Sequence, residues 1–83
     1  MSETVTERVA ENVRVEVARL KLSQKAIADA LGISQSSANR RYLGITPFDV
    51  EELYTMAAFL GCHVSALLPA EGSLDGQRSQ VSA

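Results

Sequence analysis

Two short segments, each opened by a serine and separated by a single glycine, constrain the fold of this 83-residue chain more than any other feature. They lie at residues 23–43 and read SQKAIADALGISQSSANRRYL. Ser23 and Ser34 are residues that favour the N-cap of a helix, and the apolar residues after Ser23 recur at helical spacing. Gly32 is suited to end the first helix in the left-handed conformation. The pattern therefore predicts two short helices joined by a tight turn centred on Gly32.

The second of these helices, from Gln35 to about Leu43, has an unusually polar composition. Its apolar residues are Ala38, Tyr42 and Leu43. The other six positions are polar, namely Gln35, Ser36, Ser37, Asn39, Arg40 and Arg41. A helix on the surface of a globular protein normally buries a wider apolar stripe than this. We therefore expect the helix to expose a polar face that has a function.

The segments on either side are also expected to be helical. Between Glu3 and Lys21 apolar side chains recur every three or four residues, at Val5, Val9, Val13, Val17 and Leu20, which is the spacing of an amphipathic helix. Downstream, Thr46 is the expected N-cap of a fourth helix, with Pro47 at its first position. The apolar stripe of that helix would comprise Val50, Leu53, Tyr54, Ala57 and Leu60, and Gly61 would end it.

The C-terminal part of the chain divides at Pro69. Residues 63–69, HVSALLP, predict a short fifth helix or turn that closes the core. The sequence that follows, AEGSLDGQRSQVSA, has too few apolar residues to offset the entropy lost on ordering. We therefore expect one domain over residues 1–69 and a disordered tail over residues 70–83.

Charge is distributed unevenly along the chain. The formal net charge of −2 would by itself argue against a protein that binds nucleic acid. Between Arg14 and Ile45, however, six basic residues (Arg14, Arg19, Lys21, Lys25, Arg40 and Arg41) outnumber two acidic ones (Glu16 and Asp29). From Thr46 onward, five acidic residues outnumber one basic residue. One end of the molecule is therefore suited to face phosphates while the other is repelled by them.

Several classes of function find no support in the sequence. There is no apolar run long enough to span a bilayer, and the charged N-terminus does not resemble a signal peptide, so we expect a cytoplasmic protein. Cys62 is the single cysteine, and no third ligand or orienting acid accompanies the pair formed by Cys62 and His63. We therefore expect no metal site, no cofactor, no small-molecule ligand and no enzymatic activity.

The segment LSQKAIADALGISQSSANRRYLG resembles the lambda-repressor-like, Cro-type (XRE-like) helix-turn-helix regulators. Their pattern is S-Q, then A, then G-[IV]-S-Q-[ST]-x-[IV]-[ST]-R and a closing glycine. The matching residues are Ser23, Gln24, Ala28, Gly32, Ile33, Ser34, Gln35, Ser36 and Arg40. The similarity continues through ELYTMAAFLGCHVSALLP and covers residues 9–69. It implies a compact all-α, five-helix lambda-repressor-like domain with the helix-turn-helix at helices 2 and 3.

The resemblance also implies roles for individual residues. Gln35, Ser36, Asn39 and Arg40 would contact base edges, since an amide can pair with adenine and a guanidinium with guanine. Gln24, Lys25, Ser37, Arg41 and Thr46, together with the backbone N–H groups of residues 44–46, would contact phosphates. Gln24 would also brace the Gln35 amide. Asn39 and Ser37 suit either role, and Arg41 fits a helix-dipole partner equally well.

The sequence departs from the family pattern at the third helix. Val17 and Tyr42 stand where family members often carry an arginine and a glutamate that link the first helix to the third. We expect an apolar contact between Val17 and Tyr42 in place of that ion pair. Ala38 is smaller than the usual aliphatic residue, so we expect the third helix to be lightly anchored.

The function implied is that of a sequence-specific DNA-binding transcriptional regulator of the phage or prokaryotic Cro type, repressing by occupying its operator. It would bind a palindromic operator as a homodimer, associated with the nucleoid, through a surface at residues 59–69. Two alternatives stay open. One is an antitoxin-type autoregulator whose tail from Ala70 binds a partner. The other is a helix-turn-helix fold that binds a protein through its acidic fourth helix.

Overall fold

The computed structural model describes residues 3–70, which form four α-helices and one 3-10 turn. The helices are α1 (Val5–Leu20), α2 (Gln24–Leu31), α3 (Gln35–Tyr42) and α4 (Val50–Leu60), and the 3-10 turn is Val64–Ala66. The described residues contain no strand, so the all-α class is confirmed. The disordered tail predicted for residues 70–83 lies, apart from Ala70, outside this range.

The prediction of a fifth helix is replaced by the 3-10 turn. Its hydrogen bonds run from Ala66 N–H to His63 C=O and from Leu67 N–H to Val64 C=O, each three residues apart. Only a few residues separate the end of α4 at Gly61 from Pro69, which lacks an N–H with which to continue a helix. The tight turn suffices to bury Leu67 completely beneath it.

The helix-start and helix-stop residues around α2 and α3 behave as expected. The Ser23 hydroxyl accepts from Ala26 N–H, and the Ser34 hydroxyl accepts from Ser37 N–H, both at 3.1 Å. Gly32 ends α2 with φ +68°, in the left-handed region. These contacts satisfy backbone groups that the helix ends would otherwise leave unpaired.

The start of α4 is not where the sequence placed it. The N-cap is Asp49, not Thr46, because Asp49 and Glu52 form a reciprocal capping box. The Asp49 carboxylate accepts from Glu52 N–H at 2.7 Å, and the Glu52 carboxylate accepts from Asp49 N–H at 3.0 Å. Phe48 precedes this cap and is buried, so the chain must stay non-helical until Phe48 has entered the core.

A single apolar core joins all the elements. Its buried members are Val9, Val13, Val17, Ile27, Ala28, Ala38, Phe48, Met56, Ala57, Leu60 and Leu67. The predicted stripe of α1 is confirmed except at its two ends, since Val5 and Leu20 are exposed. In α4 the inward face holds Met56 where the prediction had Val50 and Tyr54, which are 69% and 61% exposed. The inward face of α4 is therefore formed by Leu53, Met56, Ala57 and Leu60, and Val50 and Tyr54 lie outside it.

The chain leaving α3 passes close to α1. Gly44 has φ +83°, and a side-chain carbon there would lie 3.4 Å from the Cα of Glu7 and from the Cβ of Ala10.

Within residues 3–70 no helix is both long and apolar enough to cross a lipid bilayer.

Candidate nucleic-acid interface

Helices α2 and α3 pack against each other across a three-residue turn, residues 32–34. Gly32 N–H donates to Asp29 C=O at 3.2 Å, and Ile33 N–H donates to Ala28 C=O at 3.1 Å. Ile33 then packs against the core, and Ser34 caps α3. These local contacts hold the N-terminal end of α3 next to the end of α2. The arrangement is that of a helix-turn-helix.

The four residues expected to contact bases share one face of α3. Gln35 and Asn39 are four residues apart, as are Ser36 and Arg40, so each pair is stacked on consecutive turns. At 3.6 residues per turn the four span about 140° of the helix circumference. Ala38, the single buried residue of α3, points away from this arc. We call the four residues the reading face.

Polar atoms of the reading face are free to bind another molecule. Among residues 3–70, the side chains of Gln35, Asn39 and Arg40 make no hydrogen bond or ion pair, and all three are at least partly exposed. The Ser36 hydroxyl lies 3.4 Å from that of Ser34. A side chain with unused donors and acceptors, presented by a rigid helix, has the properties needed for direct base recognition.

The residues expected to contact phosphates differ from one another in hydrogen bonding and exposure. Gln24 is the first residue of α2, and no hydrogen bond joins it to Gln35 among the described residues. The Lys25 ammonium lies 2.9 Å from Asp29, but both side chains are about two-thirds exposed, at 65% and 67%. Such an exposed pair contributes little and leaves Lys25 able to turn to a phosphate. Ser37 is half-buried.

The backbone N–H groups of residues 44–46, which are expected to contact phosphates, donate to carbonyls within the protein, and the phosphate contact stays a prediction. Gly44 N–H donates to Arg41 C=O at 3.1 Å. The N–H groups of Ile45 and Thr46 both donate to Arg40 C=O, at 2.9 and 3.3 Å. These bonds satisfy carbonyls at the end of α3 and so occupy the donors. Any phosphate contact in this segment therefore falls to the hydroxyl of Thr46.

Arg41 is bonded within the protein. Its Nε donates to the Glu52 carboxylate at 2.9 Å, and its Nη1 donates to Ser37 C=O at 3.1 Å. The side chains of Arg41 and Glu52 are only 19% and 15% exposed. That Arg41 contacts a phosphate stays a prediction, but its guanidinium already has a carboxylate partner.

Arg14 links α1 to α3, a role that the sequence did not reveal. Its Nη1 donates to the C=O of Tyr42 at 2.7 Å, and its guanidinium lies 5.9 Å from the centre of the Tyr42 ring. Tyr42 is half-buried and packs against the core to which Val17 belongs, and the contact between Val17 and Tyr42 stays a prediction. Arg14 lies three residues before Val17, on the same side of α1, but the sequence gives no indication that it pairs with Tyr42.

Asn12 provides a second link of this kind. Its side-chain amide donates to the carbonyls of Leu67 and Leu68, both at 3.2 Å. These contacts join residues more than fifty positions apart and hold the segment after the 3-10 turn against α1.

Cys62 and His63 are neighbours just after the C-terminal end of α4. Burial raises the pKa of the Cys62 thiol, with a further contribution from the negative charge of Glu16. A raised pKa disfavours the thiolate, which is the form that binds metals and acts as a nucleophile. The described part of the chain contains no group of three histidine, cysteine or acidic side chains that could hold an ion.

Comparison with known proteins agrees with this architecture. A family model described as helix-turn-helix matches residues 14–67. No curated protein matches the sequence. Among solved structures, the fold is similar to apo-HppE, with a TM-score of 0.71 and 24% identity over 80% of this chain and 37% of that one.

It is also similar to a hypothetical transcription factor, NHTF from Neisseria, with a TM-score of 0.71 and 20% identity over 96% of this chain and 86% of that one. The chain thus spans little more than a third of the HppE chain and most of NHTF.

Proposed function

The chain belongs to the helix-turn-helix family HTH_3, and from that premise we propose that it is a sequence-specific DNA-binding transcriptional regulator. In proteins of this architecture the second helix of the motif enters the major groove and presents its N-terminal residues to base edges. Here that helix is α3. The observation that carries the proposal is the reading face, whose polar side chains are exposed, grouped on one side of α3 and largely unpaired.

Each side chain of the reading face matches a recognition chemistry of the major groove. The amides of Gln35 and Asn39 can bond to N6 and N7 of adenine together, and the guanidinium of Arg40 can bond to O6 and N7 of guanine. The Ser36 hydroxyl can donate or accept. We propose Gln35 and Ser36 as the leading contacts because they lie in the first turn of α3.

Phosphate contacts would position the duplex without reading its sequence. We assign these to Gln24 and Lys25 at the start of α2, to Ser37, and to the hydroxyl of Thr46. Lys25 would exchange its exposed pairing with Asp29 for a phosphate. Arg41 differs from these residues because its guanidinium is already bonded to the Glu52 carboxylate.

We propose that regulation is Cro-type repression, in which the bound protein blocks an operator, as in phage and other prokaryotic regulators. One module of this size gives a small interface, so two copies on a palindromic site would supply the affinity. The half-sites would then lie about 34 Å apart, one turn of the duplex. The dimer surface would lie at residues 59–69, where Phe59 and Leu68 are each 39% exposed.

Selection from a pool of random duplexes tests this function. The parent protein is expected to enrich a palindromic motif, whereas a double variant, Gln35→Ala with Arg40→Ala, is expected to enrich none. Arg19→Ala is the matched control, because it removes one positive charge from an exposed residue of α1 that pairs with Glu16. Equal selection by the parent and the double variant would contradict the proposal and favour a protein-binding role for the acidic helix α4.

A further inference from the structure

A single carboxylate oxygen joins the last turn of α3 to the first turn of α4. Glu52 Oε1 accepts from Arg41 Nε at 2.9 Å and from the N–H of Asp49 at 3.0 Å. Arg41 also donates to Ser37 C=O on its own helix, which holds the guanidinium in place. With exposed fractions of 19% and 15%, the two side chains form a largely buried ion pair, whereas each other ion pair among residues 3–70 has at least one partner more than a third exposed.

This link matters because α3 has little apolar anchorage. Ala38 is its single fully buried residue, while Tyr42 packs against the core only in part. The tilt of α3 therefore depends on polar contacts at its C-terminal end, where Arg14 bonds to Tyr42 C=O and Arg41 bonds to Glu52. A buried ion pair with good geometry and additional hydrogen bonds is suited to fix one orientation of a helix.

The Arg41–Glu52 ion pair also determines which other groups Arg41 can bind. Arg41 follows Arg40 by one position, so its side chain leaves α3 about 100° beyond Arg40 and about 170° from the middle of the reading face. Without the Glu52 charge, this long flexible cation would be free to swing toward the phosphates that flank the groove.

We propose that Glu52 is a specificity-determining positioning residue. It holds Arg41 against α4, which fixes the orientation of the reading face and keeps one positive charge away from the DNA backbone. Binding then depends on base contacts more than on phosphate contacts. This inference rests on the proposed DNA-binding function and goes beyond it, since Glu52 itself would touch no DNA.

Glu52→Gln is the sharpest test because glutamine keeps the oxygen at Oε1. That oxygen can still accept from the N–H of Asp49, so the capping box survives while the charge is lost. Glu51→Gln is the matched control. It removes the same charge from the same first turn of α4, and Glu51 is exposed and forms no ion pair among the described residues.

Affinities for the selected duplex and for a scrambled duplex are measured over a range of salt concentrations. In Glu52→Gln the salt dependence on the scrambled duplex should steepen by about 0.9 in log–log slope, the effect of one additional neutralised phosphate. The ratio of selected to scrambled affinity should fall by about tenfold. A Glu52→Gln protein that matches Glu51→Gln in both quantities would overturn the inference and leave the DNA-binding function standing.

Arg41→Gln removes the positive charge of the same ion pair. The inference predicts a lower affinity ratio with an unchanged salt slope, because Arg41 contacts no phosphate in the parent protein. A slope shallower by about 0.9 would show that Arg41 already neutralises a phosphate and would overturn the inference. A parent protein with equal affinity for the two duplexes would overturn both this inference and the proposed function.

Discussion

At the scale of single residues, the orientation of α3 depends on side chains that reach it from other helices. Arg14 donates to the carbonyl of Tyr42, one of the groups that the end of a helix leaves without an intrahelical partner. Its guanidinium also lies over the Tyr42 ring, where a cation is attracted by the aromatic face. In this chain a charged donor bonded to a backbone carbonyl takes the place of the ion pair that the family pattern places between these two helices.

Arg14→Ala should therefore lower the free energy of unfolding by about 1.5–3 kcal/mol, the usual contribution of a hydrogen bond to a charged group. Arg19→Ala, on the same helix, should lower it by at most about 1 kcal/mol, because the Arg19 side chain is 59% exposed. Urea denaturation followed by circular dichroism measures both. Equal, small losses in the two variants would mean that the Arg14 contact does not stabilise the fold.

At the scale of elements, helix ends differ in how well the residue suits the backbone. Gly32 and Gly61 end α2 and α4 in the left-handed conformation, whereas α1 ends at Lys21 with φ +57°. A side chain in that region costs about 1–2 kcal/mol, and glycine avoids this cost. The N–H groups of Lys21 and Leu22 nevertheless donate to the last carbonyls of α1, so the turn is closed in spite of the strain.

Lys21→Gly should accordingly raise the free energy of unfolding, by about 0.5–1 kcal/mol after the greater entropy of glycine in the unfolded chain is subtracted. Lys21→Ala removes the same charge without relieving the strain and should leave stability nearly unchanged. Thermal denaturation of the two variants at matched concentration gives the comparison. A glycine variant no more stable than the alanine variant would contradict the assignment of strain to this position.

The starts and ends of helices could be predicted from the sequence where contacts between near neighbours in the chain determine them. Ser23, Gly32 and Ser34 act on backbone groups within four residues of themselves, so their roles could be inferred without a structure. The start of α4 was placed wrongly at Thr46, although Asp49 and Glu52 have the spacing of a capping box, and the burial of Phe48 agrees with a start at Asp49.

The candidate site was likewise only partly predictable from the sequence. Helical spacing and the family resemblance were enough to group the reading face on one side of α3. The contacts that hold α3 were not predictable, since Arg14 and Tyr42 lie 28 positions apart and Arg41 and Glu52 lie 11 apart. Such pairs form only once the helices have packed, and nothing in the local sequence of either partner indicates the other.

At the scale of the whole molecule, the distribution of charge favours the end of the domain that carries the helix-turn-helix as the end that faces DNA. Residues 14–45, which include the helix-turn-helix, carry six basic and two acidic residues, whereas Asp49, Glu51 and Glu52 lie at the start of α4. Glu52 sits at the boundary and draws Arg41 to the acidic side. In the proposed function, a net charge of −2 weakens non-specific attraction to DNA, and occupancy of an operator would depend on base contacts made by α3.

The most direct test of this account measures the affinity of the parent, Gln35→Ala and Arg40→Ala for every single base-pair change in the selected duplex. Each variant should lose discrimination at particular base pairs of each half-site, by about 1–3 kcal/mol, and keep it at all others. Arg19→Ala should discriminate as the parent does. If both α3 variants discriminated every position as the parent does, α3 would not be the element that reads DNA.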